Sequence, residues 1–221
     1  MHPKTPVSIN EAVYRMLRDR LMRGEFAAGQ VLGIEELAQT MHTSTMPVRS
    51  ALQRLAEQRA VERNKSRNMQ VPLLSIERLE DIRRSRLLVE GALIEWATPR
   101  LERAQMDHLR LLVDKIANAL EEPEKLDEGL TNNQTFHFTI YQAANSPTML
   151  SMAESLWLQS GPYLRAARNL MHTAPRPDLH EKILKAMERR DGVAARLAMC
   201  QDIAWAFDRL SEVPQALSRA A

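Results

Sequence analysis

The stretch 34–71, IEELAQTMHTSTMPVRSALQRLAEQRAVERNKSRNMQV, reads as a short helix, a tight turn, a second helix and a basic β-hairpin. Leu37, Met41, Val48, Leu52 and Leu55 recur at three- and four-residue steps within each helical half, so each helix is expected to bury one face. Ala38 is small where the two helices would cross. Thr43 and Ser44 offer hydroxyl caps to the second helix, and Pro47 falls in its first turn, where a missing N–H costs nothing. His42 occupies the bend, a position usually given to glycine; positive φ is uncommon for other residues, though His is among the better tolerated. The hairpin runs from Ala60–Arg63 to Met69–Pro72 around Asn64-Lys65-Ser66-Arg67-Asn68. This is the layout of a winged helix-turn-helix, which offers one helix to solvent in a form that fits the major groove of DNA. The candidate contacts are Ser44, Thr45 and Arg49 on the second helix and Arg63, Lys65 and Arg67 on the wing. The three wing cations suit backbone phosphate, which positions a protein without reading sequence. For Arg49 the rival reading is an ordinary surface charge.

Charge divides unevenly along the 221 residues. Residues 1–73 hold eleven Lys and Arg against seven Asp and Glu, for +4, and the rest hold nineteen against twenty-one, for −2. A basic head on a slightly acidic body fits a nucleic-acid contact confined to one end. The single cysteine, Cys200, excludes an internal disulfide and suggests a reducing cytoplasm. Apolar runs are broken by charge, as at Leu87-Leu88-Val89-Glu90, and no signal peptide is visible, so membrane insertion is not expected.

A helix from about Asn10 to Arg23, stopped by Gly24, precedes the motif, and Val31-Leu32 forms a short strand able to pair with the wing. After the short linker Pro72-Leu73-Leu74 the pattern is helical throughout. Helices are expected at about 75–97, around 106–120, at about 126–144, from Pro147 to near His172, and at about 178–190 and 193–212. The fold class is therefore mainly α. A winged helix-turn-helix domain over 1–73 is followed by an all-α bundle over 74–221, large enough for its own core.

Asn133 and His137 are four residues apart, so both project from one helical face. His180 and Asp202 each stand eleven residues from Asp191, the turn of the last hairpin, and so face each other at one level. The spacing allows a shared ion and equally allows a metal-free polar cavity. Arg86 and Glu90 stand four residues apart, the spacing of an ordinary ion pair along a helix face. Tyr163, Arg165 and Arg168 lie on the helix after Pro147 with no phase to separate inward from outward.

The runs VYRMLRDRLMRGEFAAGQVL, ELAQ and PVRSALQRL resemble the DNA-binding domain of GntR-type bacterial regulators. RLLVE at 86–90, FHFTI at 136–140 and HEKILKAMERRD at 180–191 are similar to the FadR-like subgroup, whose helical effector domain is termed FCD. The resemblance covers about 200 residues in preserved order. It implies a homodimeric repressor or activator, binding a pseudo-palindromic operator with an affinity set by a small organic acid. It also implies a divalent metal bound by one aspartate and three histidines. His137 and His180 match two of these histidines, Asn133 stands at the aspartate position and Asp202 at the third histidine. Two imidazoles, a carboxylate and an amide oxygen still suit Zn²⁺, Ni²⁺ or Mn²⁺. Arg86 matches a family arginine that pairs with the effector carboxylate.

Other departures fall on the DNA side. Thr45 replaces an arginine that commonly reads guanine, Glu35 replaces a second, and Asn68 replaces the wing glycine, whereas Arg49 is kept. An arginine fork on guanine contributes about 1–3 kcal/mol of discrimination, and threonine has no such fork. An altered or weaker operator is therefore expected. The leading reading is a ligand-responsive transcription regulator and not an enzyme. The alternatives are a regulator-derived ligand-binding protein with weakened DNA specificity and a helical-bundle metalloenzyme using His137, His180 and Asp202. The second leaves the winged domain unexplained.

Overall fold

The computed structural model describes residues 8–73, 75–171 and 178–210, apart from the side chains of 120, 123, 164–171 and 210. Helix α1 (Ile9–Met22) is capped by the Ser8 hydroxyl, which accepts from the Glu11 N–H, and buries Val13, Tyr14, Leu17 and Leu21. Its last turn closes through Gly24 at φ +68: the N–H of Gly24 donates to the Leu21 carbonyl and that of Glu25 to the Arg20 carbonyl. These are the two bonds of a Schellman end, for which glycine carries no Cβ penalty.

Helix α2 (Ile34–Thr40) ends the same way without a glycine. His42 sits at φ 50, and the Thr43 N–H donates to the Ala38 carbonyl at 3.0 Å. Helix α3 (Thr45–Glu57) follows at once and buries Val48, Ala51, Leu52 and Leu55 against α1 and α2. Ser44 is its N-cap residue, but no side-chain cap bond forms, contrary to the expected hydroxyl capping.

The wing pairs β1 (Glu62–Arg63) with β2 (Met69–Gln70), Glu62 opposite Gln70 and Arg63 opposite Met69. Val31 bridges to Gln70 as a third short edge, as its sequence suggested. The left-handed residue of the wing is Arg67, at φ 63, rather than Asn68. The Asn64 side-chain oxygen accepts from the N–H groups of Ser66 and Asn68, both at 3.0 Å. Those two hydrogen bonds hold the loop.

Six helices follow: α4 (Ile76–Ala97), α5 (Arg103–Glu121), α6 (Leu126–Ala143), α7 (Pro147–Met171), α8 (Leu179–Glu188) and α9 (Gly192–Leu210), with a short 3₁₀ turn at Pro123–Lys125. Helix α4 packs against α6, α7 and α9 together, so it buries residues around much of its circumference, including Arg86 and Glu90. Among the described residues no helix is long and apolar enough to cross a membrane.

Helix α1 lies directly on α7. A Cβ built at Gly161 would overlap the carbonyl oxygen of Leu21 and come within 2.8 Å of that of Met22, so only glycine allows this approach. Beside it, Arg18 reaches Glu154 at 3.6 Å, Gln134 lies 3.2 Å from the Met22 sulfur, and the Tyr163 hydroxyl donates to the Pro72 carbonyl at 2.9 Å. Tyr163 thus joins the linker to α7. The side chains of Arg165 and Arg168 lie outside the described residues, as does His172.

Candidate functional sites

The head sorts its cations into two groups. Arg15, Arg18, Arg20, Arg23 and Arg54 are ion-paired with carboxylates. Arg49, Arg63, Lys65 and Arg67, and also Arg59 beyond the end of α3, are exposed, and among the described residues no carboxylate pairs with any of them. Arg49, Arg63 and Arg67 line one groove between α3 and the wing, together with Thr45, Gln53 and Glu35. Ser44 and Met46 stand exposed at the start of α3 and Thr45 is half-buried beside them. Cations left without internal partners, gathered around the open end of a helix, form a surface for a polyanion. Glu35 introduces one negative charge into that groove.

The second site is a polar core in the bundle. His137 from α6, His180 from α8 and Asp202 from α9 offer ligand atoms that all lie within 4.8 Å of one another. His137 Nε2 is 3.4 Å from Asp202 Oδ2, His180 Nε2 is 3.9 Å from Asp202 Oδ1, and His180 Nε2 is 3.0 Å from Asn133 Oδ1. All four residues singled out by spacing and resemblance therefore converge. Both histidines are buried.

Arg86 lies in the adjoining half of the core, 3% exposed. Its fork is filled by Glu90: Nε donates to Oε1 at 2.5 Å and Nη2 to Oε2 at 3.0 Å. The pair anticipated along a helix face does form, but inside the bundle, so the small surface value for such pairs does not apply. Burial opposes the charge of Arg86, but Glu90 outweighs it and holds the guanidinium pKa above its ordinary value. Glu90 also accepts from Trp157 Nε1 at 3.0 Å and from the Tyr141 hydroxyl.

Tyr141 connects the two halves, since His137 Nδ1 lies 3.0 Å from its oxygen. Burial first, and then the Glu90 carboxylate, push the Tyr141 phenol well above its ordinary range, so it keeps its proton. That one proton goes to Glu90, an acceptor-only group when ionised. The Tyr141 oxygen must then accept from His137, which places a proton on Nδ1. His137 Nε2 consequently turns a lone pair toward the Asp202 carboxylate unless the ring carries a second proton. Two acceptors 3.4 Å apart need a proton between them, on the ring or on the carboxyl, or a metal ion.

Glu90, Tyr141, Trp157 and Ser160 were not singled out as site residues from sequence. Tyr141 was accessible, because it continues the four-residue step from Asn133 through His137. Trp157 and Ser160 carry no such signal, since only packing brings α7 to them.

An unpaired basic face on a winged head, joined to a helical bundle with a polar core, defines a DNA-binding transcription regulator with a sensor domain. The chain belongs to the GntR family of bacterial regulatory proteins, matched over residues 9–71, and carries an FCD domain over residues 81–204. It is 27% identical over 198 residues to the HTH-type transcriptional regulator McbR of Escherichia coli K12, covering 88% of this chain and 89% of McbR. The HTH-type transcriptional repressor RspR of the same strain is 24% identical over 221 residues, covering 97% of this chain and 93% of RspR. The solved structure of E. coli McbR/YncC gives a TM-score of 0.78 at 27% identity, covering 91% of this chain and 98% of that one. A putative GntR regulator from Rhodococcus sp. RHA1 gives 0.72 at 19% identity, covering 93% and 99%, a likeness of fold alone. The named relatives are regulators of transcription, not enzymes.

Proposed function

We propose that this protein is a homodimeric repressor whose affinity for a specific operator is set by a divalent cation and a small organic acid in the bundle. The observation that carries the cation is the convergence of His137, His180 and Asp202 from three helices, with ligand atoms that all lie within 4.8 Å of one another. Two imidazoles, one carboxylate and the Asn133 amide oxygen form a donor set suited to Zn²⁺, Ni²⁺ or Mn²⁺. Bound there, the ion would supply a Lewis-acidic position able to accept an oxygen of the effector. Arg86 is the anchor for the effector carboxylate, which must take the place of Glu90 in its fork.

Ser44, Thr45 and Arg49 address base edges, while Arg63, Lys65 and Arg67 hold phosphate. Two copies would set their α3 helices in successive major-groove faces, so the operator is a pseudo-palindrome. Exposed Leu88 and Trp96 on α4 and Val193 and Leu197 on the adjoining α9 offer apolar surface to the second copy. Repression is supported by the name of RspR. The family and the single cysteine support a cytoplasmic location.

Calorimetric titration of the chelator-treated protein with Zn²⁺ tests the cation. Binding of one ion per chain, abolished in His137→Ala, is expected. Equal heats in wild type and variant would remove it. Selecting genomic fragments with and without candidate acids tests the operator and the effector. Fragments bound with no preference would favour a regulator-derived protein with weakened DNA specificity, consistent with Thr45 and Glu35 in the groove.

A further inference from the structure

The two halves of the polar core share the Tyr141 oxygen, and the chain of bonds does not stop there. His137 Nδ1 lies 3.0 Å from the Tyr141 oxygen, and the Tyr141 hydroxyl donates to Glu90. Glu90 fills the fork of Arg86, and the remaining Arg86 Nη1 donates to Ser160 Oγ at 3.2 Å. Ser160 in turn donates to the Leu156 carbonyl at 2.9 Å. His137, Tyr141, Glu90, Arg86 and Ser160 are all buried, and each lies within hydrogen-bond distance of the next. Members of a connected network in a low-dielectric interior polarise one another.

The far end of the series is the seam that carries the head. Ser160 is followed by Gly161, the residue pressed against the Leu21 and Met22 carbonyls of α1. Pro162 comes next, inside α7. Having no N–H, it cannot donate to the carbonyl four residues back, so α7 is locally deformable where it supports the head.

We propose that these side chains form a relay. Tyr141 and Glu90 hold the His137 ring for a cation, and Arg86 and Ser160 pass the occupancy of that position to the α1–α7 seam. The inference rests on the reading of His137, His180 and Asp202 as a divalent-cation site and names how that site is read by the head. A metal-ligating histidine ordinarily donates its second N–H to an outer partner that fixes ring and tautomer. Here the partner is a phenol, itself anchored by a carboxylate. An ion on Nε2 strengthens the Nδ1–H donor, and each later bond responds in turn. Tyr141 and Ser160 are positioning residues, neither touching the ion.

Hydrogen exchange on the full chain, with and without Zn²⁺, tests the relay without needing an operator. In wild type, zinc is expected to slow exchange around the ion, in 133–141 and 199–206. It should also slow 18–24 by at least about fivefold, the lower end of typical coupling between sites. Ser160→Ala should keep zinc affinity within about twofold, as for a distant and independent position, and keep the slowing around the ion. It should lose the slowing at 18–24. Tyr141→Phe should lower zinc affinity by about 10–100-fold, the usual cost of removing an outer partner. Slowing at 18–24 that persists in Ser160→Ala, or wild-type zinc affinity in Tyr141→Phe, overturns the relay. Wild-type protein that shows no slowing anywhere loses the cation site itself, and the relay with it.

Discussion

Arg86 and Glu90, one turn apart on α4, make a forked ion pair that is 3% and 0% exposed. The pair belongs to no surface, and its members were removed from water together. Breaking a buried pair by deleting one partner typically costs about 3–5 kcal/mol, because the other charge is left uncompensated. Glu90→Leu is therefore expected to destabilise the bundle by about that amount. The double variant Arg86→Met with Glu90→Leu should recover much of the loss, although Tyr141 and Trp157 would still lack their acceptor. Denaturant unfolding of the single and double variants measures both. A double variant as unstable as the single would mean that the remaining donors, and not the unpaired guanidinium, set the cost.

Asn133 contributes a neutral oxygen 3.0 Å from His180 Nε2. Asn133→Asp adds a second carboxylate to the cluster at the same length. Zinc affinity should rise by about tenfold or more, equivalent to about 1.4 kcal/mol. In chelator the same variant should melt earlier, because a second carboxylate joins Asp202 around His180 with no ion present. Calorimetry and thermal unfolding, each with and without zinc, check the opposite signs.

Thr45 lies at the start of α3 in the groove shared with Arg49. Thr45→Arg restores a fork at this edge and should create a preference for guanine of about 1–3 kcal/mol at one position of each half-site. Randomised-site selection with wild type and variant reads that preference directly. Unchanged base preference would place Thr45 away from the base edges.

Lys65 and Arg67 are exposed on the wing and make no ion pair among the described residues. Each Ala substitution should weaken DNA binding about equally on all sequences and reduce the salt slope by about 1. Affinity measured across a salt series separates this from a loss of base reading, which would leave the slope unchanged.

Cys200 is half-buried, with its thiol 3.6 Å from the Leu87 carbonyl. Burial pushes the thiol pKa up. Less thiolate is present at pH 8 than for a free cysteine, so alkylation should be slower than for glutathione and should gain more as pH rises beyond the ordinary thiol range. Mass spectrometry of iodoacetamide-treated native protein checks this.

The head was legible because its elements are local. Three- and four-residue steps of Leu37, Val48 and Leu52 fix which faces are buried, and His42 adopts the left-handed turn expected at its position. Which wing residue turns left-handed was not legible; it is Arg67, in a loop held by the Asn64 side chain. In the bundle, equal distances of His180 and Asp202 from the Asp191 turn were enough to bring them together. Glu90 was harder, since nothing in an i,i+4 spacing says whether a pair faces water or the interior. That depends on α4 being covered by α6, α7 and α9 at once, a property of packing rather than of period.

Footprinting the most strongly selected genomic fragment, with and without zinc, tests the central claim of a cation-responsive operator-binding regulator. The expected result is a two-fold symmetric protected site whose affinity changes at least about fivefold with zinc. Diffuse protection, or a site whose affinity is the same with and without the ion, would contradict it.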